Sequence, residues 1–451
     1  MSQFISNLKK IAPHLFTNGK LNKSLLLAEL DIEEYGLTWH GKKQAQTKAA
    51  IPCSKKIINS SPEVLSDDIF IRGDNLDALK LLQSTHKEKV DLIYIDPPYN
   101  TGKKFTYKDN FRVANSRKKS GHPATGIHDQ WLSMMYPRLI LAHQLLAEQG
   151  IIFISISDDE VHNLRIILDE VFHPRSFVAH FCWLKKKKGS HLSSTVRSMT
   201  EHILCYAKNK TKINLYGEPA YSDKWQPLLK KKNRKKQLCF PAKTVETKLK
   251  DGTYPLSSLR KNPLISFSNA IKVKNGVVQT QFTLEGPFVW VQTKLDQELQ
   301  LGTRVALSSK LGINVFRHDQ HKKFKRPTTM LDPKSNVGSY EDAFAELRDH
   351  LGEEYKFTYA KPTSLLRYLI KAATHFNQSA VIVDFFAGSA STGEATWQLN
   401  QIDGGNRKFI LVQQEEPIDD PNFKTIADIG EARLRAVGKK MNRQFQVWSI
   451  R

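Results

Sequence analysis

The sequence predicts a doubly wound α/β fold whose single sheet is assembled from two separated stretches of chain. Three observations carry this. Short apolar runs alternate with helical leucine patterns over residues 67–175, and the alternation returns over 365–412. Strand–helix–strand order at such spacing implies parallel pairing. Between the two blocks the pattern lapses and lysines crowd together, in Lys185–Lys188, Lys230–Lys236 and Lys322–Arg326.

The first block opens with the apolar run Ile69-Phe70-Ile71, ended by Gly73-Asp74. Leu76, Leu79 and Leu82 then recur at helical spacing. Val90 to Ile95 is a strand stopped by Pro97-Pro98. Trp131 to Gln149 is expected to be a helix, with Leu132, Met135, Leu139, Leu145 and Leu146 on or near one face. Gly150 stands where a left-handed cap would end that helix. Ile151–Ile156 reads as a buried strand and Val161–Val171 as a helix, with Asp158-Asp159-Glu160 as its acidic cap. In the second block, Leu365–Phe376 is helical, Ala380–Phe385 a strand, Gly388-Ser389 a turn, Thr392–Leu399 a helix and Phe409–Val412 a strand.

The chain has 451 residues and a formal net charge of +23. Such an excess points to a polyanionic partner, nucleic acid before an anionic membrane. No apolar run reaches membrane-spanning length, and the start of the chain lacks an apolar leader segment, so a cytoplasmic protein without membrane attachment is expected. Cys53, Cys182, Cys205 and Cys239 form no C-x-x-C pair and stand at no zinc spacing; reduced thiols and no metal site follow. His122, His128 and His143 read as surface or packing residues.

Two loops carry chemistry. Asp96-Pro97-Pro98-Tyr99 leaves the strand at Val90 where α/β proteins place ligands, at the carboxyl end. The prolines remove two N–H donors and stiffen the turn, so the Pro97 carbonyl is an acceptor held beside the Asp96 carboxylate. Two adjacent acceptors suit one NH₂ group, and binding both hydrogens draws the nitrogen towards tetrahedral geometry. Tyr99 offers a flat face on which an extruded base can stack. The second loop, Asp384-Phe385-Phe386-Ala387-Gly388-Ser389, enters a helix through small residues, so backbone amides can approach an anionic group. It lacks the G-x-G-x-x-G spacing of dinucleotide enzymes.

Together these loops resemble those of amino-methyltransferases acting on DNA, in the β arrangement. In that arrangement the Asp-Pro-Pro-Tyr loop precedes a recognition insert and then the cofactor loop. The similarity is greatest to the Mod subunits of type III restriction–modification systems. It is carried by Tyr35–Trp39, Gly73–Leu76, Leu92–Gly102, Trp131–Leu139, Glu201–Lys208, Lys361-Pro362, Asp384–Ser391 and Asp403–Gln413. The resemblance implies a circularly permuted, Rossmann-like methyltransferase sheet with S-adenosylmethionine as methyl donor and adenine N6 in double-stranded DNA as acceptor. It implies Asp96, Pro97, Pro98 and Tyr99 as the catalytic set. For the cofactor it implies Asp384, Phe385, Ala387, Gly388 and Ser389, with Asp74 and Asn75 near the adenine and Lys361-Pro362 against the methionine part. Gln413 stands where many relatives have a ribose-binding acid, and Ala390 where other branches have glycine.

The expected layout is an N-terminal helical extension (1–60), a catalytic half (61–210), a basic target-recognition insert (211–345) and a cofactor-binding half with a C-terminal tail (346–451). That insert is short for a Mod subunit. A restriction (Res) subunit and a second copy of the chain are the protein partners implied. The competing readings are a cytosine-N4 or RNA methyltransferase and a non-catalytic DNA-binding specificity subunit. Relatives acting on cytosine N4 usually carry serine where this chain has Asp96. Within the insert, Trp225, Phe240, Phe288 and Trp290 either stack on bases or fill a core, and Lys230–Lys236 is either a phosphate contact or a solvated loop.

Overall fold

The computed structural model describes residues 8, 12–17, 20–21, 36–101, 127–188, 195–220, 224–317, 324–352 and 360–451. Tyr35, Gly102, His122, Lys322 and Lys323 lie outside them. The chain divides into two compact units, Met1–Leu215 with Thr328–Arg451, and Tyr216–Pro327.

The larger unit is built on a ten-stranded sheet. Its strands are β1 (Ile57–Asn59), β2 (Ile69–Arg72), β3 (Val90–Ile95), β4 (Leu146–Ile156), β5 (Phe177–Leu184), β6 (Thr200–Ala207), β7 (Met330–Leu331), β8 (Val381–Asp384), β9 (Lys408–Gln413) and β10 (Gln446–Ile450). The spatial order is β7-β5-β6-β4-β3-β8-β9-β2-β10-β1. The central run from β4 to β10 is parallel throughout. β6 runs antiparallel to both neighbours, and β1 antiparallel to β10. The helices are α1 (Lys42–Ala50), α2 (Asn75–His86), α3 (Ile127–Leu145), α4 (Val161–Phe172), α5 (Tyr340–Leu351), α6 (Thr363–Thr374), α7 (Ser391–Asp403) and α8 (Ile426–Met441).

Continuous apolar strands are what a sheet covered on both faces requires. In β3, Ile93 and Ile95 enter the hydrophobic cluster on one face, and Leu92 and Tyr94 the cluster on the other. The chain turns one way from β3 through α3 to β4, and the other way from β8 through α7 to β9. β3 and β8 therefore flank a topological switch point, where open α/β sheets bind ligands beyond the strand carboxyl ends. The pairing Ile382–Leu92 and Val383–Ile93 sets their exits side by side.

The structure corrects four expectations. Gly150 does not cap α3; the helix stops at Leu145 and Gly150 lies inside β4. A side chain there would meet the carbonyls of Ala147 and Val90 at 2.8 Å, so glycine is required by close approach rather than by a left-handed turn. The first sixty residues are not simply helical: α1 is followed by β1, an edge strand of the main sheet. The compact insert is narrower than 211–345, because β7 pairs with β5, and Ala343 and Leu347 of α5 pack with Ile429 of α8. The expected C-terminal tail is part of the main sheet, since β10 lies between β2 and β1.

The smaller unit contains a seven-stranded and a three-stranded sheet around its own core. Phe240, Phe288 and Trp290 belong to that core, with Phe240 stacked on Phe282 at 5.2 Å. Of the four aromatic candidates only Trp225 is exposed, at 40%, with the Arg304 guanidinium 5.4 Å from its ring. Lys230–Lys236 forms an ordered turn whose ends bond the carbonyls of Pro287 and Phe288. Lys230, Lys231, Lys232, Arg234 and Lys235 are exposed along it. No helix among the described residues is long and apolar enough to cross a membrane.

Candidate active site

Asp96 follows directly on β3. Its Oδ1 accepts the Tyr99 hydroxyl at 2.7 Å, and its Oδ2 accepts Lys361 Nζ at 2.5 Å. Burial is the strongest influence on this carboxyl and pushes it above the usual carboxylate range, while the Lys361 charge pulls it back. The loop beyond is pinned at two points. The Trp131 indole donates to the Pro98 carbonyl at 2.7 Å, and Asn100, in the left-handed region at φ 57°, donates to Glu160 at 2.6 Å. Pro97, directly after Asp96, is buried.

Glu160 is thus more than a helix cap. Its side chain makes no cap bond to α4. It is fully buried and gathers Asn100, His128 Nδ1 at 2.8 Å and Asn163 at 2.8 Å. His128 correspondingly braces the loop through Glu160. His143 packs edge-on to Phe172, as a packing histidine would.

Behind Asp96 stands a group of residues that the sequence did not bring together. Glu201, on β6 and 4% exposed, accepts the Tyr340 hydroxyl at 2.8 and 2.9 Å and lies 3.1 Å from the Tyr99 hydroxyl. Lys361 and Lys185 approach it at 3.7 and 3.4 Å. Lys361 Nζ sits over the rings of Tyr99, Tyr340 and Trp183, at 5.2, 5.4 and 5.8 Å from their centroids. Burial, then the charges of Asp96 and Glu201, hold the Tyr99 phenol protonated, well above its ordinary range. Lys361, expected against a cofactor, is here the partner of Asp96. Glu201 lies in a stretch that carried the resemblance, but nothing in its neighbours marks it as a site residue.

The second loop leaves β8. Asp384 is buried; its Oδ1 accepts the Phe386 N–H at 3.0 Å and its Oδ2 the Thr392 hydroxyl at 2.6 Å. Burial raises its pKa to about 7 despite these donors, and the nearby Asp96 charge adds to the rise. Gly388 takes φ 52° and Ala390 φ 60°, so the position where other branches have glycine does adopt the conformation that favours it. The Gln413 side-chain oxygen accepts the Gly388 N–H at 2.7 Å and so closes this turn. Ser389 and Ser391 rest on the fully buried Arg433, which also pairs with Glu394 at 2.6 Å.

Between the two loops lies a cavity of about 270 Å³. Of the residues expected at the site, Asn75, Asp96, Pro98, Lys361, Asp384, Ala387, Gly388, Ser389 and Gln413 line it. Asp74, Pro97, Tyr99, Pro362 and Phe385 are not among its walls. Asp74 caps α2, accepting the N–H groups of Leu76 and Asp77. Phe385 is fully buried and offers its carbonyl to Asn75 Nδ2 at 2.7 Å; Pro362 precedes α6. The sequence reading missed Arg138, Met134, Glu416 and Ile426, which also line the cavity. Arg138 donates to Asn75 at 2.6 Å, which fixes the orientation of that amide. Its signal was available, since it lies inside the stretch Trp131–Leu139. The walls combine the carboxyls of Asp96, Asp384 and Glu416 and the cationic Arg138 and Lys361 with the apolar Met134, Phe386 and Ile426. A ligand carrying charges of both signs and a flat aromatic part fits such a lining.

Known proteins are similar to this chain in sequence. A family model described as DNA methylase matches residues 90–418. The type III restriction-modification enzyme StyLTI Mod subunit of Salmonella typhimurium is 30% identical, over 98% of this chain and 71% of its own length. The EcoPI Mod subunit of Escherichia phage P1 is 30% identical, over 91% of this chain and 69% of its own. The type II methyltransferase M.KpnI of Klebsiella pneumoniae is 30% identical, over 84% and 89%. A solved M1.HpyAVI–SAM complex is 14% identical, covers 81% of this chain and all of its own, and superposes with a TM-score of 0.36, too low to add to the argument. With the family model spanning most of the chain, and relatives at 30% identity matched over more than two thirds of their length, the chain belongs to the DNA methylase family that includes the type III Mod subunits.

Proposed function

We propose that the protein transfers a methyl group to the N6 amine of adenine in double-stranded DNA, with S-adenosylmethionine as donor. One observation carries the reading. The Asp96 carboxylate, at the end of β3 and directly before Pro97, lines a cavity whose other wall is the Asp384 turn on the neighbouring strand. Two acceptors fix one amino group by both hydrogens, and the nitrogen lone pair is thereby localised. Asp96 also stabilises the positive charge that develops on that nitrogen. Tyr99 provides the face on which the extruded base stacks. Bound S-adenosylmethionine would supply an electrophilic methyl, with Asp384, Asn75, Arg138 and the Ala387–Ser389 turn as its holders. No covalent adduct with the protein is required, and the residues act by positioning and charge.

The exposed Lys230–Lys235 turn and the Arg304-supported face of Trp225 are suited to phosphate contact and stacking in the insert. A Res subunit and a second copy of the chain are the proposed protein partners, supported by the Mod naming of the relatives. The decisive experiment expresses the chain in a host without DNA methylation and reads that host's genome by single-molecule sequencing. N6-methyladenine in one sequence context is expected. N4-methylcytosine, or no modified base from a folded protein, would overturn the reading.

A further inference from the structure

β5 runs in the same direction as β3 and β4, because β5 and β4 are both antiparallel to β6. It therefore ends, and β6 begins, at the edge of the sheet where β3 delivers Asp96. The chain leaves that edge as Lys185-Lys186-Lys187-Lys188 and returns to it through Arg197. The two arms are joined where the Lys185 N–H donates to the Met199 carbonyl at 2.9 Å, and the Tyr340 N–H donates to the Lys185 carbonyl at 2.9 Å. The run starts two contacts from the ring that stacks the base. Lys185 Nζ lies 3.4 Å from Glu201 Oε1, and Glu201 Oε2 lies 3.1 Å from the Tyr99 hydroxyl.

Two charges of the run are matched inside the protein, Lys185 by Glu201 and Lys187 by Asp342 at 2.9 Å. Lys188 and Arg197 are exposed, and Lys186 partly so. Consecutive Cα atoms stand about 3.8 Å apart, so Lys186 and Lys188 follow within about 4 and 11 Å of the Lys185 Cα. A base lifted onto Tyr99 stays bonded to its sugar, so the phosphates on its two sides are drawn to this same edge. We propose that Lys186, Lys188 and Arg197 hold the phosphates that flank the extruded adenine. The inference rests on the base-acceptor reading of Asp96 and Tyr99. Such contacts carry no sequence information; they fix where the backbone lies. The Lys230–Lys235 turn belongs to the smaller unit, whereas these three cations share a compact unit with Asp96 and Asp384. They therefore locate the target nucleotide relative to the methyl donor.

The test measures affinity against salt for a short duplex in which one adenine stands opposite an abasic site, since an unpaired base costs least to extrude. Lys186→Gln, Lys188→Gln and Arg197→Gln together should lower the slope of log affinity against log salt by about 2, near 0.9 for each of two phosphates. Neutral methylphosphonate linkages on both sides of that adenine should lower the slope of the unaltered protein by the same amount. Combining the triple variant with the modified duplex should lower it no further, because each removes the same contacts. Lys87, Lys89 and Lys210 are exposed at the opposite edge of the sheet, before β3 and after β6. Their triple change to glutamine removes equal charge and should leave the slope unchanged. An unchanged slope in the first variant, an equal fall in the second, or additive falls for variant and modified duplex would each overturn the proposal. If the unaltered protein does not prefer the abasic duplex to a fully paired one, the base-extrusion reading itself fails.

Discussion

Cofactor affinity should depend on pH through Asp384. This carboxyl is buried at the end of β8, and its pKa is pushed up to about 7, first by burial and then by the Asp96 charge. Around neutral pH the empty site is therefore close to half protonated. A ligand bearing a sulfonium and an ammonium favours the ionised form, so binding expels the proton. For a single group of pKa about 7, the apparent dissociation constant scales with 1 + 10^(7−pH), about tenfold weaker at pH 6 than at pH 8 and nearly flat above pH 8. An exposed aspartate, already ionised from pH 6 to pH 8, would give no slope in this window. Titration calorimetry in two buffers of different ionisation enthalpy reads both the affinity and the protons released, near one per site at pH 6 and about half at pH 7. Asp384→Asn should abolish the slope and the proton release together. An affinity constant from pH 6 to pH 8, or a slope that survives Asp384→Asn, would refute the reasoning.

Four further outcomes are expected. Asp96→Ala should retain less than about one per cent of methyl transfer, since one positioned polar group is worth roughly 10²–10³-fold; a rate assay on purified enzyme checks it. Tyr99→Phe should keep stacking and most activity, whereas Tyr99→Ala should lose about 1–3 kcal/mol of base binding, measured as DNA affinity for a substrate with an extruded base. Replacing Lys230, Lys231, Lys232, Arg234 and Lys235 by alanine should flatten the plot of log affinity against log salt by about 0.9 for each phosphate contact removed, with an unchanged slope excluding contact there. Gly150→Ala should lower stability by about 1–3 kcal/mol in denaturant unfolding, because its methyl group meets the carbonyls of Ala147 and Val90 at 2.8 Å.

Much of the larger unit was legible because its information is local. Apolar runs such as Val90–Ile95 and Val381–Asp384 are buried on both faces, and burial on both faces leaves a continuous apolar signature. Asp96 and Asp384 were legible for a related reason. Each ends a strand, and strand ends are where an α/β sheet binds ligands. Gly150 was misread because a glycine needed for close approach looks, in sequence, like one needed for a left-handed turn. Glu160 was misread for want of its partners: a carboxylate before a helix suits the dipole, and only the fold brings Asn100 and His128 to it.

By itself, then, the sequence determined the parallel strands β2, β3, β4, β8 and β9, their division into two blocks, the insert between them and the loops at the two strand ends, since periodicity and turn chemistry are properties of neighbouring residues. The tertiary structure decided the company those loops keep. Glu201, Tyr340 and Lys361 stand far apart in the chain and share no spacing that a pattern could detect. They meet because β6 lies antiparallel beside β4 and the segment leading into α6 returns over β3. That strand order gave Lys361, a wall of the cavity, Asp96 as its partner, and set the Glu201 carboxylate 3.1 Å from the Tyr99 hydroxyl.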